Sequence, residues 1–414
     1  MEVTVTRLGH LGDGIADGPD GPVFVPMALP GEVVSGDVVD GRIAAPRIVT
    51  PAPERVKAPC PHYRACGGCS LMHADAAFVA AWKAEVARTA LDAQGIAARV
   101  APALTVPPRG RRRATLAGRR TKTGALVGFH ARASDTIVPV TDCHLLHPAL
   151  MALVPRLAGI VAAGASRKAE LSLALTLTDT GVDLAVSGGK EPDQSLFSTL
   201  AAEAASLDLA RLSWNGEPLV QARVPVLRMG RAPVPLPPGA FLQAVPEAEA
   251  ALVAAVADAV GPAGRVADLF CGIGTFALPL AEHAEVHAVE GDAAMVTALS
   301  EGWRKAEGLK RVTTETRDLF RRPLMADEFR GIDAVVIDPP RAGAEAQCHE
   351  LARSGVPVIA AVSCNPVTFA RDARILCDGG YRLDWIRVID QFRWSPHVEL
   401  AARFSRGHMD GTSR

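Results

Sequence analysis

In the run VPVIAAVSCNP, residues 356–366, an apolar, β-branched stretch breaks on Ser363, Cys364, Asn365 and Pro366. The run reads as a buried strand and Asn-Pro as the turn that ends it, which leaves the Cys364 sulfur exposed at a strand tip. A thiol in that setting is a candidate nucleophile, because its thiolate adds readily to electron-poor carbon. A second apolar run, IDAVVIDPPRAG, residues 332–343, ends on Asp338, Pro339 and Pro340. Farther on, His397, Val398 and Glu399 open another strand, and a carboxylate there is a candidate general base. Each residue alone has a plainer reading. A cysteine is often a small buried hydrophobe, as suits Cys271, Cys348 and Cys377, and a glutamate often marks an exposed edge. Found together, they describe covalent catalysis with a proton transfer.

A nucleoside site reads from VADLFCGIGTF, residues 266–276. Asp268 falls at the end of a strand, and Gly272 and Gly274 occupy the turn, where glycine lets backbone approach a ligand closely. Glu290 ends the next strand, where an acid takes the two hydroxyls of a ribose. A dinucleotide turn carries a third glycine, but Phe276 stands there, so S-adenosylmethionine suits the turn better than NAD.

Cys60, Cys66 and Cys69 crowd into ten residues of a chain with eight cysteines. In a reducing compartment such crowding points to a metal or cluster site rather than disulfides. The C-x5-C-x2-C spacing with a remote fourth cysteine resembles an iron–sulfur layout, nearest among generic ferredoxin spacings to the two-iron kind. Zinc with a histidine partner stays open, since His62 and His73 are adjacent. Residues 109–122 carry six arginines and a lysine with no acid, either a solvated face or a polyanion contact.

The elements that position these groups fall into three parts. Residues 1–52 read as short β segments between Gly and Pro turns, as in a small OB-type barrel, with TPAPERVKAP, residues 50–59, as linker. Residues 53–240 hold the cysteine segment, a helix over 74–94 and a β-rich middle with one helix over 148–163. Residues 241–414 alternate strands and helices, which gives a mostly parallel, doubly wound sheet, and two closing strands joined too tightly for a helix form an antiparallel pair. The polar tail after Phe404 is expected to be disordered. The chain has 414 residues, 49% hydrophobic, with a net charge of −1, and neither a membrane-length apolar run nor a secretory leader. Cytoplasmic residence is the expectation.

DLFCGIGTF, DPPRAG, SCNP and HVE, in this order and at these intervals, resemble the RNA uracil-5-methyltransferase family. GHLGDGIADGPDGPVFVPMALPGEVV is similar to the small TRAM barrel at the front of many members. CPHYRACGGCSLMHADAAFVAAWK is similar to the family's iron–sulfur segment, with Cys143 of TDCHLLHP as fourth cysteine, and GFHARASDTIV resembles its central domain. The likeness spans residues 5–404 and implies an α/β enzyme with a Rossmann-like class I methyltransferase domain at its C-terminus. It implies Cys364 as nucleophile and Glu399 as base. Gln243, Phe270, Glu290, Asp318 and Asp338 become contacts to S-adenosylmethionine. Cys60, Cys66, Cys69 and Cys143 become ligands of a [4Fe–4S] cluster that ties the helical segment to the β-rich domain.

The implied partner is single-stranded or loop RNA, because a stacked base cannot reach a cysteine at a sheet edge. A monomer is expected. Barrel and cluster together lean toward 23S ribosomal RNA over transfer RNA, the alternative within the family. A catalytically silent RNA binder is the alternative from another class, opposed by intact Cys364, Glu399 and Asp338. A small-molecule enzyme or a DNA cytosine enzyme fits less well, since the latter commonly sets its cysteine after proline. Two departures stand out: DQFRWSPHVE replaces an FPxT-like segment, and Thr275 occupies a position where some members carry Asn.

Overall fold

The computed structural model describes residues 1–407. Seven strands build the C-terminal sheet: β1 Arg265–Leu269, β2 Glu285–Glu290, β3 Val312–Thr316, β4 Ala334–Ile337, β5 Val358–Ser363, β6 Arg382–Asp390 and β7 Glu399–Ser405. Their spatial order is 3-2-1-4-5-7-6, with the short strand Leu104–Thr105 beyond β6. β1 to β5 are parallel, and the central β1, β4 and β5 bury both faces, which is why their sequences run mostly apolar instead of alternating. The order reverses between β1 and β4, so a crevice opens at their carboxyl ends. The two closing strands are antiparallel as expected, but β7 does not sit at the edge. It is inserted between β5 and β6 and pairs with both.

Helices cover both faces. On one, α2 (Pro246–Val260) and α3 (Ala293–Lys305) pack with Val266, Val336 and Val362. On the other, α1 (Ala76–Asp92) joins α4 (Glu345–Ser354) and α5 (Pro366–Asp378) against Ala267, Val335 and Ile359. The sequence grouped α1 with the middle domain; its Ala87 and Leu91 instead belong to the catalytic core. Lys83, also on α1, is fully buried and salt-bridged at 2.5 Å to Asp390 at the end of β6. Its ammonium also donates to the carbonyls of Phe392 and His397, so one cation pins both ends of the β6–β7 connection. Burying a lysine is tolerable only with such complete pairing, and removing one partner of a buried ion pair costs about 3–5 kcal/mol.

The middle domain is a seven-stranded sheet, antiparallel except where Gly181–Ser187 and Leu209–Trp214 run parallel. That pair needs a crossover, supplied by the helix Gln194–Ser206 that the sequence reading missed. Its Asp193 N-cap was a usable signal, but only Leu200 and Ala204 are buried, too few for a clear apolar stripe. The single helix expected over 148–163 is two, Pro148–Leu153 and Ala158–Gly164, parted by a 3-10 turn containing Pro155, which lacks the amide donor.

The front segment supplies the five expected short strands as one antiparallel sheet, and an isolated bridge joins Phe24 on one edge strand to Arg42 in the loop before the last strand. The expected linker is tied down, because Arg55 pairs with the buried Glu32 carboxylate and donates to the Met27 carbonyl. At the other end, residues 408–414 of the tail expected to be disordered lie outside the described residues. Ser405 closes β7, and the Arg406 guanidinium lies 4.5 Å from the Tyr381 ring centroid. Among the described residues no helix is long and apolar enough to cross a membrane.

Candidate active site

The β5–β7 register assembles the reactive pair. Ser363 pairs with Leu400 at the end of the antiparallel ladder, so Cys364, one residue on, and Glu399, one residue back, come abreast. Both face a cavity of about 550 Å³ in the crevice between β1 and β4. Gln243, Phe270, Glu290, Asp318 and Asp338 line the same cavity, so the seven catalytic and cofactor candidates of the sequence share one space.

Carboxylates outnumber cations in this cavity. Glu290, Asp318, Asp338 and Glu399 line it against Arg341, while burial and then nearby cations lower the pKa of His397. Burial pushes the Asp338 carboxyl up to about 7. Burial and then the charge of Asp338 raise Glu399 to about 8, opposed by a hydrogen bond from Gln391. The Cys364 thiol is raised to about 11 by burial and then by Glu399 and Asp338, with Arg341 opposing. Beneath them Asp268 is wholly buried, neither carboxyl oxygen has a hydrogen-bond partner, and burial holds its pKa well above the usual range. Such a site favours a positively charged ligand, which would relieve every one of these shifts.

The turn after β1 is built for close approach. Gly272 and Gly274 have φ of +55° and +95°, and a Cβ on Gly274 would meet Leu278 at 2.8 Å. Phe270 also adopts a positive φ of 60°, a strained conformation for an aromatic residue, and its ring packs tilted against Phe320, centroids 5.4 Å apart, on the cavity wall. The Glu290 carboxylate is aimed by two amides, Gly272 N–H and Asp292 N–H, each at 3.0 Å. Thr275, at one of the two departures from the family pattern, also lines the cavity.

Glu399 is held from the connection before it. Gln391, buried, donates from its amide nitrogen to Glu399 Oε2 at 2.6 Å and to Gln243 Oε1 at 2.7 Å. Its own carbonyl oxygen accepts from the Ala244 amide at 3.0 Å. Ser70 and Leu71, directly after Cys69, donate their amides to the Trp394 carbonyl in the same connection. Sequence reasoning passed over Gln391, Arg341 and Lys83. DQF and DPPR supplied the first two on strands already identified, whereas nothing near Lys83 marks its distant partner.

Cys60, Cys66, Cys69 and Cys143 line one cavity of about 310 Å³ where the cysteine segment meets the middle domain. The Gly67 amide bonds the His130 carbonyl and Cys66 bridges to Ala131, which docks the segment there. His62 lines this cavity, but its Nε2 accepts from the Thr141 amide, and His73 is paired at 2.6 Å with the Tyr63 hydroxyl. Among the described residues no three His, Cys, Asp or Glu side chains gather closely enough to share a single metal ion.

Much of the basic run is internal. Arg112 is buried against Glu249, Arg111 lines the thiol cavity and stacks 5.9 Å from Phe392, and Arg109 and Arg119 pair with Asp142 and Glu170. Arg113 lies 5.5 Å over Phe241, an exposed ring at the mouth of the catalytic cavity. Arg120 and Lys122 are exposed. The stretch is therefore not a uniform charged face.

Over residues 237–406 the chain matches the family model described as tRNA (uracil-5-)-methyltransferase. It is 46% identical to an uncharacterized RNA methyltransferase of Brucella suis, over 98% of each chain. It is 33% identical to the 23S rRNA (uracil(1939)-C(5))-methyltransferase of Shewanella piezotolerans, over 98% of this chain and 96% of that one. The chain belongs to the RNA uracil-5-methyltransferase family. Its fold matches the Pyrococcus abyssi tRNA (uracil-54, C5)-methyltransferase, solved with S-adenosyl-L-homocysteine, at a TM-score of 0.76 and 24% identity over 98% of this chain and 99% of that one.

Within this uracil-5-methyltransferase, the ligand-free cavity predicts sluggish thiol chemistry. Alkylation of Cys364, followed by peptide mass spectrometry, should rise with pH toward a midpoint near 11. Glu399→Gln should lower that midpoint, because it removes a negative neighbour that opposes the thiolate. An unchanged midpoint would mean that the two groups do not face each other.

Proposed function

We propose that this chain transfers the methyl group of S-adenosylmethionine to carbon 5 of a uridine in 23S ribosomal RNA, through a covalent adduct on Cys364. The observation that carries the reading is the placement of Cys364 and Glu399 just beyond the last pair of the β5–β7 ladder, inside the cavity that holds the cofactor turn. The excess of carboxylates there suits a sulfonium cofactor and opposes a dinucleotide, whose pyrophosphate would add negative charge. Gln243, Phe270, Glu290, Asp318 and Asp338 are the proposed cofactor contacts, and when bound the cofactor supplies an electrophilic methyl. Glu290 would take the ribose hydroxyls, and the contacting Phe270 and Phe320 rings would form an apolar wall for the adenine.

Uracil carbon 5 is a weak nucleophile until the ring is activated. The Cys364 thiolate adds to carbon 6, and the electron pair displaced from the carbon 5–carbon 6 bond moves into an enolate on the carbonyl at carbon 4. Carbon 5 then takes the methyl with the enolate's electron pair, and the bond from methyl to the cofactor's sulfur would break with its electrons on sulfur, leaving a neutral thioether. Glu399 removes the proton left on carbon 5, the double bond re-forms, and the sulfur leaves as thiolate. Asp338, beside Cys364 at the end of the neighbouring strand β4, would orient the uracil. The base must be unstacked to enter, and Phe241 with Arg113 at the mouth offers a surface for it.

The 23S substrate is favoured over transfer RNA by full-length similarity to a relative named for 23S rRNA, together with the four cysteines and the front sheet. For the cysteines we propose a [4Fe–4S] cluster on Cys60, Cys66, Cys69 and Cys143. Four thiols around one cavity, whose two lining histidines, His62 and His144, are bonded to Thr141 and Asp142, suit a cluster better than one zinc ion. The cluster's proposed role is structural, since the segment that bears it also holds the connection leading to Glu399.

Cys364→Ala should abolish methyl transfer and leave cofactor affinity within about twofold, as isothermal titration will show, because the thiol works in bond formation rather than binding. Glu399→Gln should still add and methylate but retain the RNA as a band that survives denaturing electrophoresis. In a deletion strain, 5-methyluridine should vanish from one 23S site and persist in transfer RNA; loss from transfer RNA alone would reverse the substrate assignment. Protein purified without oxygen should contain iron and sulfide, and stoichiometric zinc with neither would exclude the cluster.

A further inference from the structure

We infer that Gln391 is a positioning residue for the proton-abstraction step: its side-chain amide holds Glu399 by one carboxylate oxygen and leaves the other free to take the carbon-5 proton. The inference rests on the covalent reading above. Three hydrogen bonds leave the Gln391 side chain a single orientation. The Ala244 amide donates to Gln391 Oε1, which fixes that atom as oxygen and its neighbour as nitrogen. Both amide protons are then committed, one to Glu399 Oε2 and one to Gln243 Oε1. Glu399 Oε2 is therefore occupied, and Oε1 keeps its lone pairs for the substrate proton. Gln243, its oxygen accepting from Gln391, keeps its amide N–H donors uncommitted to this chain.

A buried amide without a partner is costly, so this chain of three side chains holds its geometry before substrate arrives. The donated hydrogen bond also favours the ionised form of Glu399 against burial and Asp338. The groups that face Glu399 are Asp338 from the end of β4, Cys364 from the end of β5 and Gln391 from its own hairpin, with Arg341 and His397 on the cavity wall and the paired Lys83 and Asp390 behind. No full positive charge bonds the carboxylate, so the Gln391 amide is its ionising support.

In the step itself, Glu399 Oε1 accepts the proton from carbon 5, the freed electron pair forms the carbon 5–carbon 6 double bond, and the bond from carbon 6 to the Cys364 sulfur breaks with its electrons on sulfur. Gln391→Met keeps the volume and removes both donors. It should slow release of methylated RNA about tenfold or more, in proportion to a lost hydrogen bond to a charged group. Single-turnover reactions with ordinary RNA should show the methylated adduct accumulating, and the pH dependence of its breakdown should move to higher pH, because Glu399 is harder to ionise. Gln391→His, which retains a donor, should recover part of the release rate and guards against a folding defect in the first variant. Glu399→Gln is run beside them as reference. Adduct in the reference but none in Gln391→Met, with an unmoved pH profile, overturns the role of Gln391. No adduct in the reference overturns the covalent reading, and this inference with it.

Discussion

The site depends on one register. β7 enters the sheet antiparallel, between β5 and β6, and the pairing of Ser363 with Leu400 brings Cys364 and Glu399 abreast at the crevice. Side chains alternate across a strand, so a slip of one residue would turn Glu399 to the opposite face and leave the thiol without its partner. The apolar set LAARF, which packs into both core layers, resists that slip. Core packing and catalytic geometry are thus fixed by the same pairing.

The connection before β7 is secured by segments far ahead of it in the sequence. Lys83 on α1 pins its two ends, the cysteine segment bonds the Trp394 carbonyl, and Arg393 donates to the Val106 carbonyl. These anchors lie far away in sequence, and none belongs to the alternating α/β unit. A thiol-rich segment remote from the chemistry can therefore matter to it by holding Gln391, Phe392 and Glu399 in place, with no electron transfer.

The strand-tip residues were legible in the sequence because each ends an apolar run at a turn, and a parallel sheet sends all such tips to one edge. Cys364, Asp338, Asp268 and the glycine turn all follow that logic. Residues whose roles come from distant partners were not legible. Lys83 reads as one more cation on an Ala-rich helix, and its burial depends on Asp390 and two carbonyls that folding alone brings near. The insertion of β7 was equally hidden, since two tightly joined strands announce their pairing but not their neighbours. The placement of the basic run was hidden as well, since Arg111 lines the thiol cavity, Arg113 lies over Phe241 and Arg112 is buried against Glu249.

Covalent attack on carbon 6 by Cys364 is the central claim, and it is tested most directly with RNA in which the target base is 5-fluorouracil. Fluorine on carbon 5 cannot leave as a proton does, so the adduct cannot resolve. Wild-type protein incubated with this RNA and S-adenosylmethionine should form a denaturant-stable complex, and fragmentation of the digested complex should place a methylated fluorouridine on Cys364. An RNA that the protein binds and, with uracil, methylates, yet that yields no covalent complex when fluorinated, would contradict the account.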